Sequence, residues 1–473
     1  MVFSSLIFLF LFLPVTLAVY YLLKGRLRNF WIVFVSIFFY SWGAPKYIFV
    51  VLLAMGIDFL IAKWIHKAKG VSKKWVLFFG VSINVAALLY FKYFNFFIDN
   101  MNTILGYSGY SAICIAKVAL PIGISFFTFH EISYLVDVYR AKKMPFRNIS
   151  DYALYILFFP QLVAGPIIRF NEISEQIADY SRSVSIDDKL FGFIRFVIGL
   201  SKKVLIANVC GAYADEVFAL ESNFISTSTA WIGALAYTMQ IYFDFSGYSD
   251  MAIGIARMLG FIFPENFNAP YISGSITEFW RRWHISLSRW IRDYLYIALG
   301  GNKVSPARMY FNLILCFLVS GFWHGAEWTF ILWGAYHGLF LILDKLFLLK
   351  LFSGFGKIPS VLITFILTIF GWVIFRSSSF DFAIDFIGKM FVPVIGMNKI
   401  AMTTEFIYTL SFASLLVFLP LTKNGNLLME KVYSDNWSGL KLFTFVLFIF
   451  FLFFLCVGSI SITGFNPFIY FRF

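Results

Sequence analysis

Apolar runs of bilayer length recur along this chain, and they confine it to a membrane-embedded fold. Residues 4–23, 47–61, 75–91, 114–136, 230–245, 310–323, 329–349, 359–375, 405–419 and 441–457 carry most of them. About 20 consecutive apolar residues cross the hydrocarbon of a bilayer as a helix. The runs do not alternate with period two, which excludes a transmembrane barrel. Of 473 residues, 60% are hydrophobic and 13% charged, against about 45–50% and about 25% in soluble domains. The predicted fold class is an all-α polytopic membrane protein of about 10–12 spans, forming one integral membrane domain over residues 1–473. The run at 4–23 has no basic segment before it and no small-residue cleavage site after it, so it is expected to be a retained helix.

The net charge of +13 is explained by short loops rather than by a nucleic-acid partner. Lys24, Arg26 and Arg28 form one basic loop. Lys63, Lys67, Lys69, Lys73 and Lys74 form a second, and Arg140, Lys142, Lys143 and Arg147 a third. These loops lie two spans apart, which places them in the cytoplasm and the N-terminus outside. Residues 152–168 contain Pro160, Gly165 and Pro166, and residues 189–210 are interrupted by Ser201, Lys202 and Lys203. Broken pieces of this kind are tolerated at membrane depth only where protein or a cavity surrounds them, so re-entrant or tilted segments are expected there. The four cysteines have no close spacing and form neither a metal motif nor a disulfide framework.

The stretch EFWRRWHISLSRWIRDYL (278–295) reads as one amphipathic helix lying along the interface. Trp280, Trp283, His284 and Trp290 fall on one arc; Arg281, Arg282, Arg289 and Arg292 fall on the other. The arginine face suits an anionic cytoplasmic donor, or simply lipid phosphate. His284 points into protein or membrane, away from water.

Ionisable groups at membrane depth are costly and are kept for function. FWHGAEW (322–328) places His324 and Glu327 between two apolar runs. If Arg308 marks the cytoplasmic start of a helix, His324 lies roughly 24 Å further along it. The chain then turns at Gly325–Ala326–Glu327 and runs back. A neutral imidazole at the tip of that hairpin can act as a general base towards a hydroxyl. Glu327 either orients it or caps the next helix. A metal shared by His324 and His337 is disfavoured, because thirteen residues on one helix set them about 140° apart. No P-loop, dinucleotide fingerprint, HExxH zinc motif or GxSxG elbow occurs. Asp244 and Asp250 in YFDFSGYSD are either an acid–base pair or, together with Glu327, the coupling sites of an ion-driven transporter. The missing internal repeat weighs against transport.

The chain resembles the membrane-bound O-acyltransferase (MBOAT) superfamily, in the branch of the alginate O-acetyltransferase membrane subunit. The resemblance is carried by LPIGISFFTFHEISYLVDVYR (120–140), FFPQLVAGPIIRF (158–170), QIYFDFSGYSDMAIGIARMLGF (240–261), NFNAPY (266–271), FWRRWHISLSRWIRDYLYIALGGN (279–302), GFWHGAEWTFILWGAYHG (321–338) and the ending NPFIYFRF. It implies a ring of membrane helices around a central funnel. It also implies that the histidine of the WHG element, here His324, is essential and that His284 matches a second polar position, with Asp244 and Glu327 in support. His130 stands where many relatives carry Gln and is read as packing or tunnel lining. The implied reaction moves an acyl group from a cytoplasmic thioester, acetyl-coenzyme A or an acylated carrier protein, to an exported cell-surface polysaccharide such as alginate. Transfer is direct or passes through an extracytoplasmic esterase-like partner. The donor would meet Arg281, Arg282, Arg289 and Arg292; no bound cofactor and no metal is expected. The implied location is the bacterial cytoplasmic membrane. D-alanyl transfer towards teichoic acid is the rival within the family. A purely structural partner of a synthase complex is the rival outside it.

Overall fold

The computed structural model describes residues 1–393 and 400–463, and among them every regular element is helical. The ending NPFIYFRF (466–473) lies outside the described residues. The chain forms two compact units, Met1–Ser185 with Met258–Phe263 and Ile186–Arg257 with Pro264–Phe473.

The first unit contains α1 (Leu13–Leu22), α2 (Arg26–Gly43), α3 (Ile48–Lys67), α4 (Gly70–Leu88), α5 (Phe94–Tyr107), α6 (Ile124–Tyr139), α7 (Ile149–Leu157), α8 (Phe159–Leu162) and α9 (Phe170–Ala178). A π-turn at Leu89–Tyr93 joins α4 and α5 into one rod. The span expected over 114–136 does not form as such. Residues 110–121 carry no helix, and α6 begins only at Ile124. Pro121 lacks an amide hydrogen and Gly123 sits at φ 79°, so a helix cannot be extended backwards through them. The break expected within 152–168 is present: α7 stops at Leu157, Phe158 turns out at ψ 106°, and α8 is a single turn.

The second unit contains α10 (Ile186–Ser201), α11 (Asn208–Phe218), α12 (Thr227–Met258, whose last residue belongs to the first unit), α13 (Ile276–Arg282), α14 (Ile285–Ile291), α15 (Pro306–His324), α16 (Trp328–Leu343), α17 (Leu349–Phe355), α18 (Lys357–Arg376), α19 (Phe380–Phe391), α20 (Thr404–Phe418), α21 (Lys423–Val432) and α22 (Gly439–Thr463). Residues 189–210 are not broken, contrary to expectation. α10 runs into α11 through a π-turn at Lys202–Ala207, the kind of local over-winding that recurs at functional sites.

That π-turn sits where α10 meets α12 backbone to backbone. A Cβ on Gly199 would stand 2.4 Å from the carbonyl oxygen of Gly247, and one on Gly254 would stand 2.5 Å from that of Gly192. In lipid there is no hydrophobic drive between helices, so small residues that permit close approach hold such seams. The seam carries Lys202 and Lys203 against the acidic residues of α12.

Six helices among the described residues are long and apolar enough to cross a bilayer: Ile48–Lys67, Gly70–Tyr107, Pro306–His324, Lys357–Arg376, Thr404–Leu421 and Gly439–Ile462. Phe8–Leu22 is a shorter apolar helix. The chain is a multi-pass membrane protein. Counting apolar runs gives a larger number because it also takes in helices that are shorter or less apolar, such as α1, α2 and α16, and α12, which is enclosed by protein along most of its length.

The seam yields a stability test. Gly199→Ala drives a methyl into the Gly247 carbonyl and is expected to cost about 1–3 kcal/mol, read as a lower melting temperature in detergent. Gly56→Ala is the control, since its Cβ meets nothing within 4 Å, and its melting temperature should not fall.

Candidate active site

The predicted amphipathic helix over 278–295 is two short helices with a break at Trp283–His284. The cause is the loop that precedes it. Asn268 N–H donates to the Arg282 carbonyl and Ile285 N–H donates to the Asn266 carbonyl, both at 2.9 Å. These bonds take the groups that would have continued the helix. His284 is left at φ 44°, ψ 53°, in the left-handed region, a strained position for a non-glycine residue and one typical of functional sites. The tryptophans turn into the core instead of facing lipid. Trp283 lies 4.7 Å from Trp372 between ring centroids, and Trp280 lies 5.5 Å from Trp333.

The break aims His284 inwards. Its side chain is buried at 1% exposure, edge-on to Phe245 at 4.6 Å. Its Nδ1 lies 3.1 Å from Asn266 Oδ1. That oxygen also accepts from the Ser286 hydroxyl (2.8 Å) and Ser286 N–H (3.3 Å), while Asn266 Nδ2 donates to Ser249 Oγ at 3.0 Å. A carbonyl oxygen can only accept, so Nδ1 of His284 carries the proton and Nε2 carries the lone pair. Nε2 has no hydrogen-bond partner among the described residues. Burial pushes this imidazole well below the usual histidine range, and the neighbouring His324 pushes it further down.

His324 is the last residue of α15. Its Nδ1–H donates to the Ser320 carbonyl at 2.6 Å, one turn back, so its lone pair is also on Nε2. The rings of Trp323, Trp333 and Phe375 surround it at 4.8, 5.0 and 5.5 Å. The hairpin of α15 and α16 closes this tightly because of its glycines. A Cβ on Gly321 would stand 2.2 Å from the Phe330 carbonyl oxygen. Glu327 caps the start of α16, exposed and without a side-chain cap bond; the hydrogen bond that orients His324 comes from Ser320 instead. The indole of Trp333 lies 5.0 Å from His324 and 5.0 Å from His337, so it stands between the two imidazoles. Among the described residues no three His, Cys, Asp or Glu side chains come together.

Asp244 and Asp250 do not form a carboxylate pair. Lys203 Nζ lies 2.9 Å from Asp244 and also donates to Asn208 at 2.7 Å. Asp250 is held by Arg195 at 2.7 Å, by Lys202 at 2.6 Å and by the Tyr433 hydroxyl at 3.3 Å. Each aspartate is thereby neutralised by its own cation from α10 or its π-turn, which removes the basis for an ion-coupling pair.

A cleft of about 620 Å³ opens beside this network, lined among others by Arg195, Lys202, Asp250, Asn266, Arg289 and Tyr433. Asn266 therefore belongs both to the cleft wall and to the clasp on His284. Of the four arginines expected to meet a donor, Arg289 lines the cleft and Arg281 is exposed, and neither has a carboxylate partner among the described residues. Arg282 is paired with Glu278 at 2.8 Å and Arg292 with Asp293 at 2.7 Å. His130 lies in the first unit, buried in α6 with its ring 5.4 Å from that of Tyr155. Sequence reasoning passed over Asn266, Lys203 and Ser320. The only signal for Asn266 was a polar residue inside NFNAPY; for Lys203 it was a cation in an apolar run with no acid beside it in sequence.

Several known proteins are similar to this chain over most of its length. The model of the family described as MBOAT, membrane-bound O-acyltransferase family, matches residues 30–378. The chain is 46% identical to a "Probable alginate O-acetylase AlgI" of Pseudomonas aeruginosa, over 81% of this chain and 73% of that one. It is 42% identical to the protein of the same description in Pseudomonas putida, over 100% of both chains. It is 37% identical to a "Peptidoglycan O-acetyltransferase" of Helicobacter pylori, over 85% of this chain and 81% of that one.

The buried pair gives a direct test of its architecture. Removing one partner strands the other, so Asp244→Asn and Lys203→Met should each cost about 3–5 kcal/mol. The double variant Asp244→Asn/Lys203→Met should lose less melting temperature than the two single losses combined, whereas additive losses would mean that the two charges do not interact.

Proposed function

This chain belongs to the membrane-bound O-acyltransferase family, and from that premise we propose how its two buried imidazoles are used. It is an O-acetyltransferase that acts on polysaccharide. In our reading the donor is an acetyl thioester such as acetyl-coenzyme A, met on the cytoplasmic side, and the acceptor hydroxyl lies on the outer side of the bacterial cytoplasmic membrane. The exported glycan is of the alginate kind, reached directly or through an extracytoplasmic esterase-like partner. The observation that carries this is His324, its Nδ1–H held by the Ser320 carbonyl at the far end of a 19-residue helix. That helix rises about 28 Å, close to the thickness of the hydrocarbon core.

In the proposed step, Nε2 of His324 takes the proton of the acceptor hydroxyl as its oxygen attacks the thioester carbonyl. The carbon–sulfur bond breaks, and the proton passes from the imidazolium to the leaving thiolate, restoring the base. His284, kept neutral by burial, offers a second lone pair that positions the hydroxyl. Asn266 is a positioning residue that fixes the His284 tautomer. Arg281 and Arg289, unpaired by carboxylates, are left for the phosphates of the donor. Arg282 and Arg292 already have partners and should matter less. The relatives described as O-acetylases, one matching end to end, support acetyl over D-alanyl transfer.

His324→Ala, at normal protein level, should lower the O-acetyl content of the exported polysaccharide by about 10²-fold or more; full acetylation in that variant would refute the assignment. Asn266 is tested by pH. Asn266→Asp keeps an acceptor for His284 but adds a negative charge that raises its pKa. The acidic limb of the rate profile should therefore move to higher pH, and Asn266→Ala should lose activity without that shift. An unmoved limb in Asn266→Asp would show that His284 does not titrate with the reaction.

A further inference from the structure

A groove of about 780 Å³ lies in the first unit, along α2, α3 and the start of α7. Its walls are apolar side chains that face outwards: Phe30 is 52% exposed, and Leu53 and Leu60 are each 66% exposed. Its floor is open at Gly56, where an added Cβ meets nothing within 4 Å. One end is basic. Arg26 and Arg147 line it, and Lys63 reaches the Arg147 carbonyl at 3.4 Å.

None of the three cations has a carboxylate partner among the described residues. Arg26 rests over the ring of Tyr180 at 4.8 Å. Asp151, in the first turn of α7, is buried and accepts from the Tyr180 hydroxyl at 2.6 Å and from Asn148 at 3.2 Å; Asp58, on α3, is buried and accepts from Asn84. Asn148 leaves α7 without a side-chain cap, so the first-turn amides at Ile149 and Ser150, which line the groove, add to the positive end.

We propose that this groove binds one anionic phospholipid, with its phosphate among Arg26, Lys63 and Arg147 and an acyl chain over Gly56. Three arguments select a lipid. The walls belong to α3, which crosses the bilayer, so the occupant of the apolar part is a hydrocarbon. Leu53 precedes Lys63 by ten residues, about 15 Å along the helix, which is the depth of one leaflet of the ~30 Å hydrocarbon core. The cations cluster on the side assigned to the cytoplasm by the positive-inside pattern, where anionic headgroups attract them. An anion held at these ends of α2, α3 and α7 would offset the repulsion among the three cations.

The test is thermal melting of the full chain in detergent after delipidation, with phosphatidylglycerol, phosphatidylcholine or inorganic phosphate added. Phosphatidylglycerol should give a saturable rise in melting temperature that the other two do not. Arg26→Gln/Arg147→Gln should abolish that rise through the headgroup. Gly56→Leu should abolish it by filling the acyl slot, while leaving the lipid-free melting temperature unreduced. Equal stabilisation by phosphatidylcholine would overturn the proposal, as would an undiminished response in either variant. A response to inorganic phosphate as large as that to phosphatidylglycerol would overturn it in favour of a soluble-anion site.

Discussion

The clasp of Asn266 on His284 is the interaction on which the site depends. The side-chain and backbone carbonyls of Asn266 together draw four donors from residues 284–286. The backbone groups at the break, Arg282 C=O, Ile285 N–H and Ser286 N–H, all find partners in residues 266–268, so the break costs little hydrogen-bonding energy. What it does cost is the strain of a left-handed histidine, of order 1–3 kcal/mol. In exchange the imidazole is rotated from a lipid-facing helix into the protein, with its tautomer set and its proton held on the side away from the reaction. Asn266 also lines the cleft of about 620 Å³, so one residue belongs both to the cleft wall and to the clasp on His284.

Two devices keep that arrangement in register. The glycine seam of α10 and α12 lets their backbones touch, and across it Lys203 meets Asp244 while Arg195 and Lys202 meet Asp250. Buried ion pairs contribute little net stability, but they penalise every slipped alternative in which a charge is stranded. The second device is the hairpin of α15 and α16. Its glycines bring the helices into contact and leave His324 enclosed by aromatic rings. The apolar rings lower the local dielectric, which strengthens the hydrogen bond from the imidazole to Ser320.

Much of this was legible in the sequence. Apolar runs gave an all-helical membrane fold, the depth argument singled out His324, and the apolar arc of 278–295 put His284 on the inside. What could not be read were the effects of distant backbone. The pattern at 278–295 has a clean helical period, and nothing within it announces that residues 266–268 will break it. The run at 114–136 is apolar enough to span, yet Pro121 and Gly123 delay the helix to Ile124. Asp244 and Asp250 looked like a pair because they are close in sequence. Six residues on one helix place them 120° apart, and each finds its cation on a neighbouring helix. Glu327 drew notice as the nearest acid to His324, whereas the ring is oriented by a backbone carbonyl, which no sequence pattern marks.

The account makes His324 the point at which an acetyl group crosses from one aqueous compartment to the other. The most direct measurement uses the full chain in sealed proteoliposomes, with labelled acetyl thioester confined to one side and a polysaccharide acceptor, with its partner protein if one is required, confined to the other. Label appearing on the acceptor in vesicles that remain sealed, and lost in His324→Ala, is the expected result. Acetylation that occurs only when donor and acceptor share a compartment, or that survives unchanged in His324→Ala, would contradict it.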